Sequence, residues 1–98
     1  MLFAIRFSDK PDLAELRKSL LAQHIAWLDR HKAIILVGGS LREHPDQTPI
    51  GGLWIAEAQS KSELLQLIET DPFWQAGLRS SVEILHWSKA FEDRQVLV

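Results

Sequence analysis

A chain of 98 residues makes one domain, here with 46% apolar residues, 11 basic and 13 acidic side chains, and no cysteine. That composition excludes a disordered segment, a disulfide scaffold, a thiolate nucleophile and a sulfur-ligated metal. The formal net charge is −2 and the basic residues are scattered, so no stripe reads as a nucleic-acid surface, and no apolar run approaches the roughly 18 residues of a membrane span.

Residues 2–7 predict a strand, with Phe3, Ile5 and Phe7 on one face and Leu2, Ala4 and Arg6 on the other. This start is too short for a signal peptide and meets Arg6 and Asp9 at once, which makes the cytoplasm the expected compartment. Asp9-Lys10-Pro11-Asp12 is a turn that opens a helix with Asp9 or Asp12 as its cap, and Asp12 with Glu15 has the spacing of a capping box. The helix is expected to run to about Lys32. At 100° per residue, Leu13, Leu16, Leu20, His24, Trp27, Leu28 and His31 fall on one side. Residues 34–37 form a β-branched run that ends at Gly38-Gly39, a pair that signals a bulge or a close backbone approach. Residues 42–50 are the long polar loop. Residues 51–58 predict a third strand, and Ser60 with Glu63 caps a second helix rich in leucine. Pro72 follows that helix. Residues 81–87 predict the last strand, with Val82, Ile84 and His86 opposite Glu83, Leu85 and Trp87. Residues 90–98 are a mixed tail in which Val96-Leu97-Val98 either adds an edge strand or frays.

The order β-α-β-β-α-β is the split βαβ pattern of an α+β, ferredoxin-like domain. Two helices, each with one apolar stripe, cover one face of a four-stranded antiparallel sheet. The other face has no layer of its own, yet its strands carry large apolar residues. A homodimer through that helix-free sheet face is therefore expected, and it offers a place for some of the four tryptophans, Trp27, Trp54, Trp74 and Trp87.

The most informative residue is His24, a polar ring on an apolar helix stripe that needs a partner. Asp71, in Thr70-Asp71-Pro72-Phe73, is the comparable carboxylate. An imidazole held by a carboxylate can move protons, and the same pair can equally be a structural one. Arg17, two helical turns before His24, is placed to direct an anion to it. Arg6 is either a pocket charge or a dimer salt bridge. His24, His31, His44 and His86 share no metal-ligand spacing, so no metal site is expected. The glycine pairs form no dinucleotide or Walker loop.

Several of these segments together resemble the YciI-like (YCII-related) family. They are Arg17 followed by residues 24–28, His-Ile-Ala-Trp-Leu; Ile35-Leu36-Val37-Gly38-Gly39; Gly52-Leu53-Trp54-Ile55; Thr70-Asp71-Pro72-Phe73 with Gly77-Leu78; and residues 82–87. The resemblance covers residues 2–88, with residues 90–98 as a C-terminal tail of a single YciI-like domain spanning 1–98. It implies a ferredoxin-like fold that assembles as a dimeric α+β barrel. It also implies a cleft in which His24 and Asp71 take the places of the family's helix histidine and Asp-Pro aspartate, regarded as a catalytic pair. Many members carry an arginine three residues before the histidine, and here that position is Leu21, which leaves Arg17 on this stretch. One branch of the family eliminates chloride from a chlorinated hydroquinone, and more distant relatives isomerise lactones.

Two functional classes follow. In the first, a small-molecule enzyme of lyase or isomerase type uses His24 to move a proton, Asp71 to fix its tautomer, and Arg17, with Arg6, to bind a small anionic or phenolic ligand. This scheme calls for no cofactor. In the second, a non-catalytic dimeric binding or accessory domain contains His24 and Asp71 as a buried structural pair. Access decides between them, because a catalytic imidazole must present one free nitrogen to a cavity.

Overall fold

The computed structural model describes residues 1–96, so Leu97 and Val98, and with them part of the expected edge strand in the tail, lie outside the described residues. The elements are β1 (Leu2–Asp9), α1 (Ala14–Arg30), β2 (Ile35–Leu41), β3 (Gly51–Glu57), α2 (Lys61–Ile68), α3 (Pro72–Gln75) and β4 (Arg79–His86). The four strands form one antiparallel sheet in the order β2-β3-β1-β4, which is the ferredoxin-like topology. Phe3, Ile5 and Phe7 of β1 and Trp54 and Ala56 of β3 point to the helix side and are buried. Leu64 and Ile68 of α2 and Trp27 of α1 close the core over them.

The sheet is not closed into a barrel, which corrects the barrel expectation. β2 and β4 are its two edges, and no ladder joins them. Closing a sheet on itself takes enough tilted strands to bring the edges into register. Four strands, with helices over one face, remain an open twisted layer.

Local details also depart from the periodicity. The Asp12–Glu15 capping box does not form, because Asp12 adopts φ 63° and Leu13 occupies the cap position without a side-chain hydrogen bond. Asp9, the other acid of that turn, is turned inward to buried guanidiniums instead. Only His24 and Trp27 of α1 are fully buried, so the leucine stripe is half-covered. Ser60 does cap α2, its Oγ accepting from Glu63 N–H at 3.1 Å. Two tryptophans, Trp27 and Trp54, are core residues at 2% and 1% exposure, so the interface is not needed to hide them.

Two bulges set the phase of the edges. In β2 the register steps from Ile35↔Ala56 to Val37↔Ile55, leaving Leu36 over. In β4 it steps from Ser8↔Ser81 to Asp9↔Arg79, leaving Ser80 over. An extra residue flips the following side chain to the other face. Asp9 already shares the inward face of Phe7, and the Ser80 bulge swings Arg79 to meet it. Among the described residues, no helix is long and apolar enough to cross a membrane.

Candidate active site

Asp71 is placed by its neighbour. A residue before proline is pushed to extended backbone, and Asp71 has φ −70° and ψ 129°. Pro72 starts α3 at the position where a missing N–H costs nothing. The Asp71 carboxylate then folds back, and Oδ1 accepts from Phe73 N–H at 3.1 Å. The same Oδ1 lies 2.7 Å from Nδ1 of His24 on α1. Asp71 is 0% exposed and His24 5%, so the sequence pairing of the two residues is realised inside the protein. Asp71 Oδ2 is buried and has no hydrogen-bond partner.

A carboxylate can only accept, so His24 Nδ1 carries the hydrogen, and in the neutral ring Nε2 then presents its lone pair. Nδ1 makes the one hydrogen bond of this ring among the described residues. The ring lies flat on Phe73, with centroids 3.9 Å apart and planes 10° from parallel. Trp27 and Trp54 stack further out, at 6.4 and 6.3 Å. The indole of Trp27 is itself fixed, its Nε1–H donating to Thr70 Oγ1 at 2.9 Å.

His24 borders a cleft of about 600 Å³ between α1 and the β2 edge. From α1 the walls include Arg17, Lys18, Leu21, His24, Ile25 and Leu28, and from across the gap Gly38, Gly39, Ser40 and Arg42. Glycine has a steric reason at position 38, where a Cβ would stand 2.9 Å from Trp54 Cδ1. The close approach expected of Gly38-Gly39 is therefore present at Gly38, while at Gly39 a Cβ would meet nothing within 4 Å.

Beside the pair lies a second polar group that the sequence did not reveal. Asp9 Oδ1 accepts from Arg79 Nη1 at 2.7 Å, and Oδ2 from Arg17 Nε at 3.4 Å. The Arg79 guanidinium sits over the Phe7 ring at 4.4 Å and the Phe73 ring at 5.1 Å. Arg17 is 5.0 Å from the Phe73 ring. Desolvation lowers the Arg17 pKa, Asp9 opposes that, and Arg79 and Arg42 add to it. Arg17 thus lines the cleft. Arg6 does not: it lies on the helix-free face, largely exposed, and pairs with Glu83 at 2.9 Å. Arg79, which lines the cleft, was hidden because alternation counted back from Val82 gives position 79 the wrong face, and only the bulge corrects it. Among the described residues no three histidine or acidic side chains converge as metal ligands.

The sequence model of the YCII-related domain matches residues 1–88. None of the curated proteins matches the chain. Among solved structures, 5-chloro-2-hydroxyhydroquinone dehydrochlorinase from Burkholderia phenoliruptrix AC1100, in complex with 2,5-dihydroxybenzoquinone, is 35% identical with a TM-score of 0.80, over 90% of this chain and 94% of that one. A variant of SnoaB, a cofactor-independent oxygenase from Streptomyces nogalater, is 14% identical with a TM-score of 0.54, over 94% and 96% of the two chains. The second likeness is one of fold.

Proposed function

The chain belongs to the YCII-related family, and on that premise we propose that it is a small-molecule enzyme of lyase or isomerase type in which His24 moves a proton. One observation carries the reading. Asp71 holds His24 Nδ1 at 2.7 Å from a fully buried position, while the ring borders an open cleft. Asp71 fixes the tautomer and steadies the imidazolium once the proton has arrived. Arg17 offers positive charge to the oxygen that becomes negative.

The chemistry balances without a redox partner. Nε2 takes a proton from a carbon or hydroxyl of the ligand, and the electron pair left behind moves into the adjacent π system. That pair either captures a proton at another carbon, which is isomerisation, or expels a leaving group with its bonding electrons, which is elimination. The ligand class is a small anionic or phenolic molecule. The 35% identical relative is named for dehydrochlorination of a hydroquinone and holds a dihydroxybenzoquinone, which supports that class.

The second reading, a binding domain with a structural pair, draws on the double duty of Asp71 Oδ1, which also caps Phe73 N–H. Proton exchange separates the two. Hydroquinones, their chloro derivatives and hydroxybenzoic acids, incubated with the protein in deuterated buffer, are followed by NMR and by chloride release. The enzyme reading expects exchange or release that falls at least about a hundredfold in His24→Ala. Catalysis that survives unchanged in His24→Ala, or its complete absence from the panel, favours the structural pair.

A homodimer through the helix-free face accompanies this proposal, each sheet remaining an open layer. Val37, Leu53 and Leu85 are 47%, 41% and 51% exposed there, side by side with Ala4 and Ile55 by register. Sedimentation at low micromolar concentration should return twice the 11.2 kDa chain mass. A clean monomer there removes this part of the proposal.

A further inference from the structure

The cleft is electrically lopsided. Arg17, Lys18, Arg42 and Arg79 line it against a single carboxylate, Glu15, in a chain whose net charge is −2. Two of these cations are already engaged, since Arg17 and Arg79 share Asp9, and Arg79 Nε is sealed from solvent. The Arg42 guanidinium has no ion-pair or hydrogen-bond partner among the described residues. It is close enough to Arg17 to add to the lowering of that guanidinium's pKa.

The backbone that carries Arg42 is held in place. Arg42 follows Leu41, the last residue of β2, whose carbonyl accepts from Ile50 N–H at 2.8 Å. The turn beyond it is closed by Gln47 Oε1, which accepts from the N–H groups of Glu43 and His44 at 3.0 and 3.3 Å. The guanidinium therefore projects from a fixed strand end and not from a loose loop tip.

The cleft wall on α1 changes character along its length. Arg17 and Lys18, with the carboxylate Glu15, lie at its N-terminal end, and Leu21, Ile25 and Leu28 at its C-terminal end, with His24 among the apolar ones. Arg17 and His24 are separated by about 10 Å along the helix axis, a span that an aromatic hydroxy acid fills once side-chain reach is counted. An anionic group has one favourable end of this cleft and an apolar one to avoid.

We infer that Arg42 is a specificity residue which, with Arg17, forms an anion subsite, so that the substrate is an acid: a hydroxylated ring or enol bearing a permanent carboxylate, with its reacting proton at His24. This rests on the proton-transfer reading of His24 and narrows it. A plain quinol would leave the subsite empty.

A matched pair of probes tests the inference. Hydroquinone and 2,5-dihydroxybenzoate differ by one carboxylate, and their affinities for the full-length protein are measured anaerobically by titration calorimetry. The wild type should bind the acid at least about tenfold more tightly, as a charge-assisted bidentate contact warrants. Arg42→Gln should erase most of that preference while moving the hydroquinone affinity less than about twofold, and Arg42→Lys should fall between, because it keeps the charge and loses the fork. Thermal melts confirm that the variants stay folded, which the exposed position of Arg42 favours. Equal affinities for the two probes, a preference that persists in Arg42→Gln, or no binding of either probe overturns the inference. The proton-transfer reading fails separately: a carboxylate preference that depends on Arg42, with no proton exchange on any ligand, leaves the subsite standing and removes the enzyme. Exchange on quinols with no carboxylate preference does the reverse.

Discussion

Asp9 and Asp71 are both buried carboxylates beside the same cleft, and they are used in opposite ways. Asp9 spends both oxygens, one on Arg79 at 2.7 Å and one on Arg17 at 3.4 Å. Asp71 spends one oxygen twice, on His24 and on Phe73 N–H, and leaves the other without a partner. The first arrangement ties β1, β4 and α1 together. The second keeps a dry carboxylate whose main interaction is with a titratable ring. Both oxygens of Asp9 are satisfied, although Arg79 Nε beside them is itself buried without a partner; the unpartnered oxygen of Asp71 calls for an explanation, and the proton transfer proposed at His24 would supply one.

The largest expected effect breaks the fastening. Asp9→Asn removes the negative charge that two guanidiniums share, with Arg79 almost wholly covered. It should cost about 3–5 kcal/mol in denaturant melts, because removing one partner of a buried ion pair leaves uncompensated charge. A loss below about 1 kcal/mol would mean that water reaches the network.

Gly52→Ala attacks the same fastening from the side. A Cβ there would stand 3.1 Å from the Gly39 carbonyl oxygen and 3.4 Å from Arg79 Nη2. Overpacking of this kind costs about 1–3 kcal/mol, and the loss should be less than additive with Asp9→Asn. Gly39→Ala is the control, since its Cβ meets nothing within 4 Å. Equal melts for the two alanine variants would refute the crowding.

Asp71→Asn probes the other carboxylate. The amide oxygen can still accept from Phe73 N–H, so the stability loss should stay near about 1–2 kcal/mol, below that of Asp9→Asn. Turnover, once a substrate is in hand, should fall at least about tenfold, because an amide steadies an imidazolium poorly. A double-mutant cycle with His24→Ala sharpens the contrast. Coupling above about 2 kcal/mol without any catalytic loss would make Asp71 a second fastening.

Arg6→Ala is the smallest effect. Its pair with Glu83 is half or more exposed on both sides, so the change should stay within about 0.5 kcal/mol. A larger loss at dimer-forming concentrations alone would place Arg6 in the proposed interface.

The two carboxylates were unequally legible in the sequence. Asp71 could be paired with His24 because both were out of place for their surroundings: a polar ring on an apolar stripe and an acid fixed before a proline. Asp9 read as a turn residue and helix cap. Its partners stand 8 and 70 positions away, and Arg79 reaches it through a bulge that no alternation pattern announces. The facing of the central strands was readable from periodicity because Phe3, Ile5, Phe7 and Trp54, Ala56 alternate cleanly inward. The missing Asp12 cap was not readable, because a capping box is a spacing and Asp12 took a left-handed backbone instead. Openness of the sheet is set by which edges pair, a property of the whole layer that no local stretch encodes.

The indoles of Trp27 and Trp54 lie 6.4 and 6.3 Å from the His24 ring, inclined to it by 12° and 26°. Both are shielded from solvent, so their emission is governed by neighbours and not by bulk water. Imidazolium quenches excited indole far better than neutral imidazole does. Protonation of His24, as the proposed mechanism requires, should therefore dim these two indoles, a change that stopped flow can follow without a label.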